Sequence, residues 1–274
     1  TAITCGLSEF SIVGIPAEEY PEIPSITGET TIDLPHSMLK SMIRQTIFAV
    51  ADTDAKPIHT GTLFELGGGT LRLVSVDGYR LAIREEPVQA NEEASFVVPG
   101  KTLNEVTKLL SDSEEETLSL VVGRRHILLK IGNYTVISRL LEGEFLDYKA
   151  AIPAASSTEV LVNTRSFIES VDRVSALITD RLKSPVRCLF EDNEIKLSCS
   201  TSMGRANDQF EAQITGSNVE IGFNNRYLLD ALRNAEGDEV KVQLNGPLSP
   251  MKVLPREGNA FLFLVLPVRL KSDS

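Results

Sequence analysis

Histidine and cysteine are scarce in this 274-residue sequence, with three of each. His36, His59 and His126 fall in a helix start, a loop and a strand pattern, so no metal-ligand spacing exists. Cys5, Cys188 and Cys199 form an odd, widely separated set without a Cys-x-x-Cys, which excludes a disulfide framework in a chain this large and suits a reducing cytoplasm. Long apolar runs are missing as well. The longest, Ala260 to Val268, is about half of what a helix needs to cross a bilayer. No basic-then-apolar leader stands at the start, so the expectation is a chain that neither spans a membrane nor is exported. Basic residues are in deficit, 27 against 38 acids, and the net charge of −11 excludes a generally basic nucleic-acid binder. Any nucleic-acid face must be local. There is no Gly-x-Ser-x-Gly elbow, no Gly-x-x-x-x-Gly-Lys-Ser/Thr and no Gly-x-Gly-x-x-Gly, so serines and cysteines read as structural.

What is present is ordinary globular composition, 42% apolar and 24% charged, which rules out disorder. The length suits two domains. The chain opens at Thr1 in a strand pattern (Ile3, Leu7, Phe10, Ile12) that reads as the tail of a preceding domain. Residues 15–28, with three prolines and three acids, read as a linker. From His36 to Val50, Leu39, Met42, Ile43, Ile47 and Phe48 recur at helical spacing, with Pro35 in the first turn. A hairpin follows: Thr62–Leu66, Gly67-Gly-Gly, Thr70–Val76. Then come a strand at Ser95–Val98, a helix from Lys101 to Leu110, and strands at Leu118–Val122, His126–Ile131 and Tyr134–Arg139.

The second half repeats this order. Val160–Val162 leads a helix at Arg165–Ile178, Cys188-Leu-Phe-Glu echoes Thr62-Leu-Phe-Glu, and Glu220-Ile-Gly-Phe before a helix at Asn225–Asn234 echoes Phe96-Val-Val-Pro, all offset by about 125 residues. Each half is itself doubled, giving four similar units. The expected class is α+β, with antiparallel sheets covering two helices in each domain.

Two features could carry binding. All four helices place basic residues at helical multiples: Lys40 and Arg44, Lys101 and Lys108, Arg165 and Arg173, Arg226 and Arg233. Recurrence in every unit favours a phosphate-facing stripe over ordinary surface charge. The second feature is Phe261-Leu-Phe-Leu-Val-Leu-Pro-Val-Arg-Leu, an apolar strand broken by Pro267. Two readings stay open: a buried last strand that simply ends at Pro267, or a Pro267–Leu270 segment that leaves the sheet and lines a groove with apolar atoms. Gly67-Gly-Gly, flanked by strands, reads as a hairpin turn rather than a phosphate cradle, and Ser111-Asp-Ser-Glu-Glu-Glu-Thr as a solvated loop rather than a calcium site.

Four motifs carry a resemblance: Val76-Asp-Gly-Tyr-Arg-Leu-Ala, Glu142-Gly-Glu-Phe-Leu-Asp-Tyr, Glu220-Ile-Gly-Phe-Asn-Asn-Arg-Tyr-Leu-Leu-Asp-Ala-Leu and Leu264-Val-Leu-Pro-Val-Arg-Leu. In this order and separation, the sequence resembles the bacterial DNA polymerase III beta subunit family, the replicative sliding clamps. The resemblance implies the DNA-clamp fold, with residues 1–26 as the tail and linker of a first domain, 27–150 as a second domain and 151–274 as a third. It implies a non-catalytic, cytoplasmic processivity factor without metal or cofactor. Its full-length form is a homodimeric ring around duplex DNA, with Leu177 and Ile178 at the subunit interface. It also implies a groove that takes short motifs of the polymerase alpha subunit, the clamp loader and repair polymerases. By position the groove comprises His59, Val76, Gly78, Tyr79, Arg80, Leu81, Leu146, Asn224, Tyr227, Leu248, Pro250, Leu264, Val265, Leu266, Pro267, Val268 and Arg269. Leu81, Leu264, Pro267 and Val268 are expected to form its floor and Arg80 with Arg269 its rim, while a rim His59 gains charge below about pH 6.5. The family pattern has an aliphatic residue at His59, a proline at Leu146 and a basic residue at Ala150. Two rival readings are an enzyme using a buried carboxylate, Asp77 or Asp147, and a peptide-binding scaffold that never touches DNA.

Overall fold

A computed structural model describes residues 1–20, 26, 30–53, 56–90, 92–179 and 184–270. Residues 21–25, 27 and 28 of the expected linker lie outside the described residues. A solvent-exposed hairpin, β1 (Ala2–Cys5) and β2 (Ser8–Ser11), comes first. Four units of one pattern follow, strand–helix–three strands. They are β3 (Thr30–Pro35), α1 (His36–Ile47), β4 (Gly61–Gly67), β5 (Thr70–Val76) and β6 (Arg80–Pro87); then β7 (Ala94–Pro99), α2 (Gly100–Leu109), β8 (Thr117–Val122), β9 (His126–Ile131) and β10 (Tyr134–Arg139). The third is β11 (Thr158–Asn163), α3 (Thr164–Ser175), β12 (Val186–Glu191), β13 (Glu194–Thr201) and β14 (Gly204–Glu211), with a short extra β15 (Gln213–Gly216). The fourth is β16 (Val219–Phe223), α4 (Asn225–Asn234), β17 (Glu239–Leu244), β18 (Met251–Pro255) and β19 (Phe261–Val265).

Each helix begins where its strand ends, because the boundary residue holds extended backbone and then starts the turn. Pro35 and Pro99 do this without a side-chain cap, so Pro35 stands just before the helix rather than in its first turn. Asn163 and Asn224 do it as true caps: Asn163 accepts from the Ser166 amide, and Asn224 from the amides of Arg226 and Tyr227. Such a cap is worth about 1 kcal/mol. The expected helix ends at Val50 and Ile178 are too long, since α1 closes at Ile47 and α3 at Ser175.

Units exchange their first strands. β3 leaves its own unit to pair with β8, and β7 pairs with β4. The result is two four-stranded sheets, β10-β9-β8-β3 and β14-β13-β12-β16, and a nine-stranded sheet ordered β15-β11-β17-β18-β19-β6-β5-β4-β7. Every ladder is antiparallel. Alternation along the long sheet divides its two faces. Phe64, Leu73 and Phe96 face the α1/α2 core, Phe261, Phe263 and Val265 the α3/α4 core, while Leu63, Val74, Leu81, Ile83 and Leu264 point the other way, under Tyr148 and Phe145. All four helices therefore cover one face.

The halves join through β6 and β19, paired Arg80↔Val265, Leu81↔Leu264 and Ala82↔Phe263. Neither strand alternates plainly, since β6 sits mid-sheet with two arginines in it. Both find partners: Arg84 Nη1 donates to the carbonyl oxygens of Glu85 (2.8 Å) and Ala260 (3.1 Å) and its Nη2 to the Glu86 carboxylate, while its buried Nε has no hydrogen-bond partner. Arg80, only 8% exposed, donates through Nε to Asp77 (2.8 Å) and through Nη1 to Asp230 on α4. Its guanidinium lies 4.7 Å from the Tyr227 ring centroid and 5.7 Å from that of Phe48. Phe48 meets Phe263 edge-on at 5.2 Å, and Gln45 Nε2 donates to the Asn234 carbonyl at 3.1 Å. Removing one member of a buried pair strands the other's charge. Arg80→Ala is expected to lower the unfolding free energy by about 3 kcal/mol in urea titration, and the Arg80→Ala/Asp230→Ala pair by clearly less than the sum of the single losses.

Candidate functional site

Beginning with the stripe, each helix turns its apolar face to a sheet and leaves the basic residues outward. Arg44, Lys101, Lys108, Arg165, Arg173, Arg226 and Arg233 are exposed and Lys40 is half-buried. Five of the eight are already paired. Lys40 reaches Asp112 (2.8 Å), Lys108 reaches Glu105 (2.7 Å), Arg165 reaches Glu169 (2.7 Å), Arg173 reaches Asp208 (2.7 Å), and Arg233 forks onto both oxygens of Asp172 at 2.8 Å. The hydrogen bond and charge of Lys40 hold the Asp112 carboxyl below its usual pKa, with Arg44 adding to the effect at longer range. Arg44, Lys101 and Arg226 have no carboxylate within 4.0 Å among the described residues.

The expected groove residues gather around the junction. The turn after β5 is closed by Asp77, whose Oδ1 accepts from the amides of Tyr79 (2.9 Å) and Arg80 (3.1 Å). Gly78 holds φ +91° there, a conformation that side chains resist. Tyr79 is thereby presented to stack on Tyr227 at 5.6 Å, above the Asn224 cap, and its carbonyl accepts from the Leu266 amide at 2.9 Å. Beyond Val265 the chain leaves the long sheet, as expected for a strand that ends near a proline, and then pairs again. The Val268 amide donates to Gly222 of β16 at 2.8 Å. A Cβ on Gly222 would stand 2.5 Å from Leu270 and 2.8 Å from the Val268 carbonyl, so only glycine admits the tail. Pro250 sits beside this place because Met251 pairs with Val265, and Leu248 follows two residues away, 66% exposed.

The expected division into floor and rim needs correcting. Leu81 and Leu264 are 2% and 1% exposed and belong to the core beneath, with Val76, while Val265 is buried in the α3/α4 core on the other face. The accessible apolar surface is Tyr79, Leu248, Leu266 and Val268. Arg80 is no rim cation, being buried in its clasp, whereas Arg269 is exposed. His59 and Leu146 occupy a separate concavity of about 540 Å³, between residues 56–59 and 142–147, which the tail does not line. It backs onto the same core through Ile58 and Phe145. Leu177 and Ile178 follow α3, the helix that lies on β14, and are half-buried.

Family descriptions cover nearly all of this architecture. The DNA polymerase III beta subunit central domain matches residues 33–147, and the C-terminal domain of the same subunit matches 149–269. The Beta sliding clamp of Bacillus subtilis is 35% identical over 98% of this chain and 72% of its own length. The crystal structure of the Bacillus subtilis DNA polymerase sliding clamp superposes with a TM-score of 0.93 at 33% identity, over 98% of this chain and 72% of that one. The DNA polymerase III beta subunit of Thermotoga maritima gives 0.89 at 32%, over 98% and 74%. The chain belongs to the DNA polymerase III beta subunit family, the sliding clamps.

A sliding clamp is not an enzyme, and the carboxylates that an enzymatic reading requires do other things here. Asp77 is consumed by its turn and by Arg80, and Asp147 is exposed rather than buried. Among the described residues no three His, Cys, Asp or Glu side chains are grouped to hold a metal, and no helix is long and apolar enough to cross a membrane. Sequence reasoning missed two supports of the segment that packs behind this junction. Tyr148 donates to Glu65, which with Glu85 holds Arg72, pinning the chain after β10 onto the outer face of the long sheet. Burial and the Glu65 carboxylate push the Tyr148 hydroxyl pKa well up. Lys252 donates to the Pro153 carbonyl at 3.0 Å and holds the next stretch of the same segment. The charges at alternate positions, Glu65, Arg72 and Glu85, were the available signal, since aligned strands place them side by side.

His59 departs from the expected rim titration. It is 9% exposed, edge-on to Phe145 at 5.3 Å, and burial with the nearby Lys56 charge lowers its pKa below 6.5. The unfolded chain then binds the proton first, so this residue's contribution to stability is lost as pH falls below about 6.5, and not above it. A proton NMR titration should find the His59 ring mostly neutral at pH 6.5, and His59→Gln should flatten the fall in stability below pH 6.5. A ring that is half-charged at or above pH 6.5 would contradict the burial argument.

Proposed function

We propose that this chain works as the groove-bearing part of a DNA-encircling clamp, tethering the replicative polymerase and other partners through short peptide motifs, in the cytoplasm and without chemistry of its own. The observation that carries it is the long sheet: it runs unbroken through both halves while all four helices, each bearing basic residues outward, cover one of its faces. In a closed ring of such units, that face becomes the inside and the sheets the outside. The pairing of the four units in two halves supports a division at 27–150 and 151–274. The junction joins the third strand of the first unit to the third strand of the fourth. The other two third strands, β10 and β14, end their sheets. Repetition of the same head-to-tail contact at those edges closes a ring, with Leu177 and Ile178 beside β14 at the subunit contact. Exposed, exchangeable phosphate contacts prefer no register on the duplex, which permits sliding.

The groove supplies the tether. An apolar peptide end covers Leu266, Val268 and Leu248, and Tyr79 stacked on Tyr227 forms its wall. A partner held there gains effective concentration rather than reactivity. The scaffold reading that never meets DNA is favoured by one fact, the pairing of five stripe cations with acids. Deleting residues 266–270 removes groove surface while sparing the core that Leu264→Asp would destroy. By isothermal titration, a peptide with a Gln and a Leu-Phe-like end should lose at least about tenfold in affinity on that deletion, or about 1.4 kcal/mol, and nothing on Lys101→Ala. Equal affinities for the deletion and the intact chain would put the groove elsewhere.

A further inference from the structure

We propose that four carboxylates, Asp112, Glu169, Asp172 and Asp208, are built-in competitors for DNA on the helix face, leaving Arg44, Lys101 and Arg226 as its standing phosphate contacts. The inference rests on the reading that this face meets DNA, and it sets how tightly. The acids are not scattered. Asp112 comes from the loop after α2 to Lys40 on α1, Asp172 ties α3 to Arg233 on α4, and Asp208 reaches from β14 to Arg173, which Glu169 shares with Arg165. A fifth cation, Lys108, is held within its own helix by Glu105.

Every one of these pairs is at least partly in water; Asp112, Glu169 and Asp172 are 86%, 48% and 44% exposed. Such pairs contribute only about 0–1 kcal/mol each, so a phosphate can displace the carboxylate. The exchange is nearly balanced. When a free cation meets a phosphate, a condensed counterion is released, which drives binding and makes it salt-dependent. When a paired cation does so, the carboxylate it abandons regains a counterion. Eight free cations would give a slope of log K against log salt of about −7, and three give about −3. Contacts that trade one anion for another hold the duplex in no fixed place. The acids thus keep the inner face weakly adhesive.

Fluorescence anisotropy of the whole chain with a labelled duplex of about 20 base pairs, from about 20 to 200 mM salt, tests this. The variant Asp112→Asn/Glu169→Gln/Asp172→Asn/Asp208→Asn frees Lys40, Arg165, Arg173 and Arg233. It should bind at least about tenfold more tightly at low salt, with the slope steepened from about −3 towards −6. Glu169→Gln/Asp172→Asn alone, at two exposed sites, should steepen it by about 2 and stands in should the quadruple variant fold poorly. Glu18→Gln/Glu92→Gln/Glu93→Gln/Glu257→Gln makes the same change in net charge at sites paired to no stripe residue and should leave the slope near −3. If the acid variants bind like the wild type while Arg44→Ala/Lys101→Ala/Arg226→Ala abolishes binding, the competitor role is wrong and the DNA face stands. If the acid variants and the charge control shift together, the effect is net charge and the inference fails. If the triple alanine variant binds like the wild type, the DNA face itself is wrong.

Discussion

The continuity of one sheet across β6 and β19 is the constraint on which everything else hangs. An antiparallel ladder fixes register, and register fixes which side chains face which way. Here it puts Leu81 and Leu264 on one face and Ala82 and Phe263 on the other. The first pair roofs the core under Tyr148, and the second seals the space between the two helix-covered cores. A slip of one residue would exchange them. Arg80 guards against the slip, because its partners Asp77 and Asp230 lie on opposite sides of the junction and only one register satisfies both. Specificity bought with a buried charge is the use for which such pairs are best attested.

The same junction builds the proposed groove. Tyr79 is at the end of β5's turn because Asp77 caps it, and Leu266 is opposite because Val265 pairs with Arg80. The tail then has one place to go, the bare edge of β16 at Gly222. Binding surface and structural joint are built from the same dozen residues, with Arg80 and Leu264 turned inward and Tyr79, Leu266 and Val268 outward. A groove made this way is largely preformed, which spares a peptide the ordering of its receptor.

Sequence reasoning reached far where local chemistry decides. Strand–helix boundaries, the hairpin at Gly67, the doubled repeat and the outward basic stripe all follow from periodicity and turn residues, which are short-range. It failed where two distant segments decide together. β6 was not assigned, because a central strand carrying Arg80 and Arg84 breaks alternation, and the partners that make it tolerable are about 150 and 176 residues away. Arg80 was expected at a rim for the same reason: a lone arginine in a motif looks exposed until Asp230 is beside it. The acids opposite the stripe were visible one by one, yet that Asp208 of a strand meets Arg173 of a helix is a tertiary fact. His59 likewise titrates by its burial, which no neighbour in sequence announces.

These electrostatics bear on why a clamp should be closed at all. The chain carries a net charge of −11, so at long range it repels a polyanion, and on the proposed reading its basic face works within a Debye length of about 8 Å at physiological salt. Over that distance the face is nearly balanced, with five of its eight cations bound to acids. Adhesion of that kind cannot hold a protein on DNA by affinity. It can centre a duplex and let it pass. Retention then falls to covalent and sheet continuity, which resist dissociation without favouring any position along the helix. A more basic lining would grip phosphates and slow the movement that a ring exists to allow, and an open structure with this lining would fall off. Weak charge and closed topology are therefore two halves of one solution, and the β6–β19 ladder is the part of it that this chain supplies.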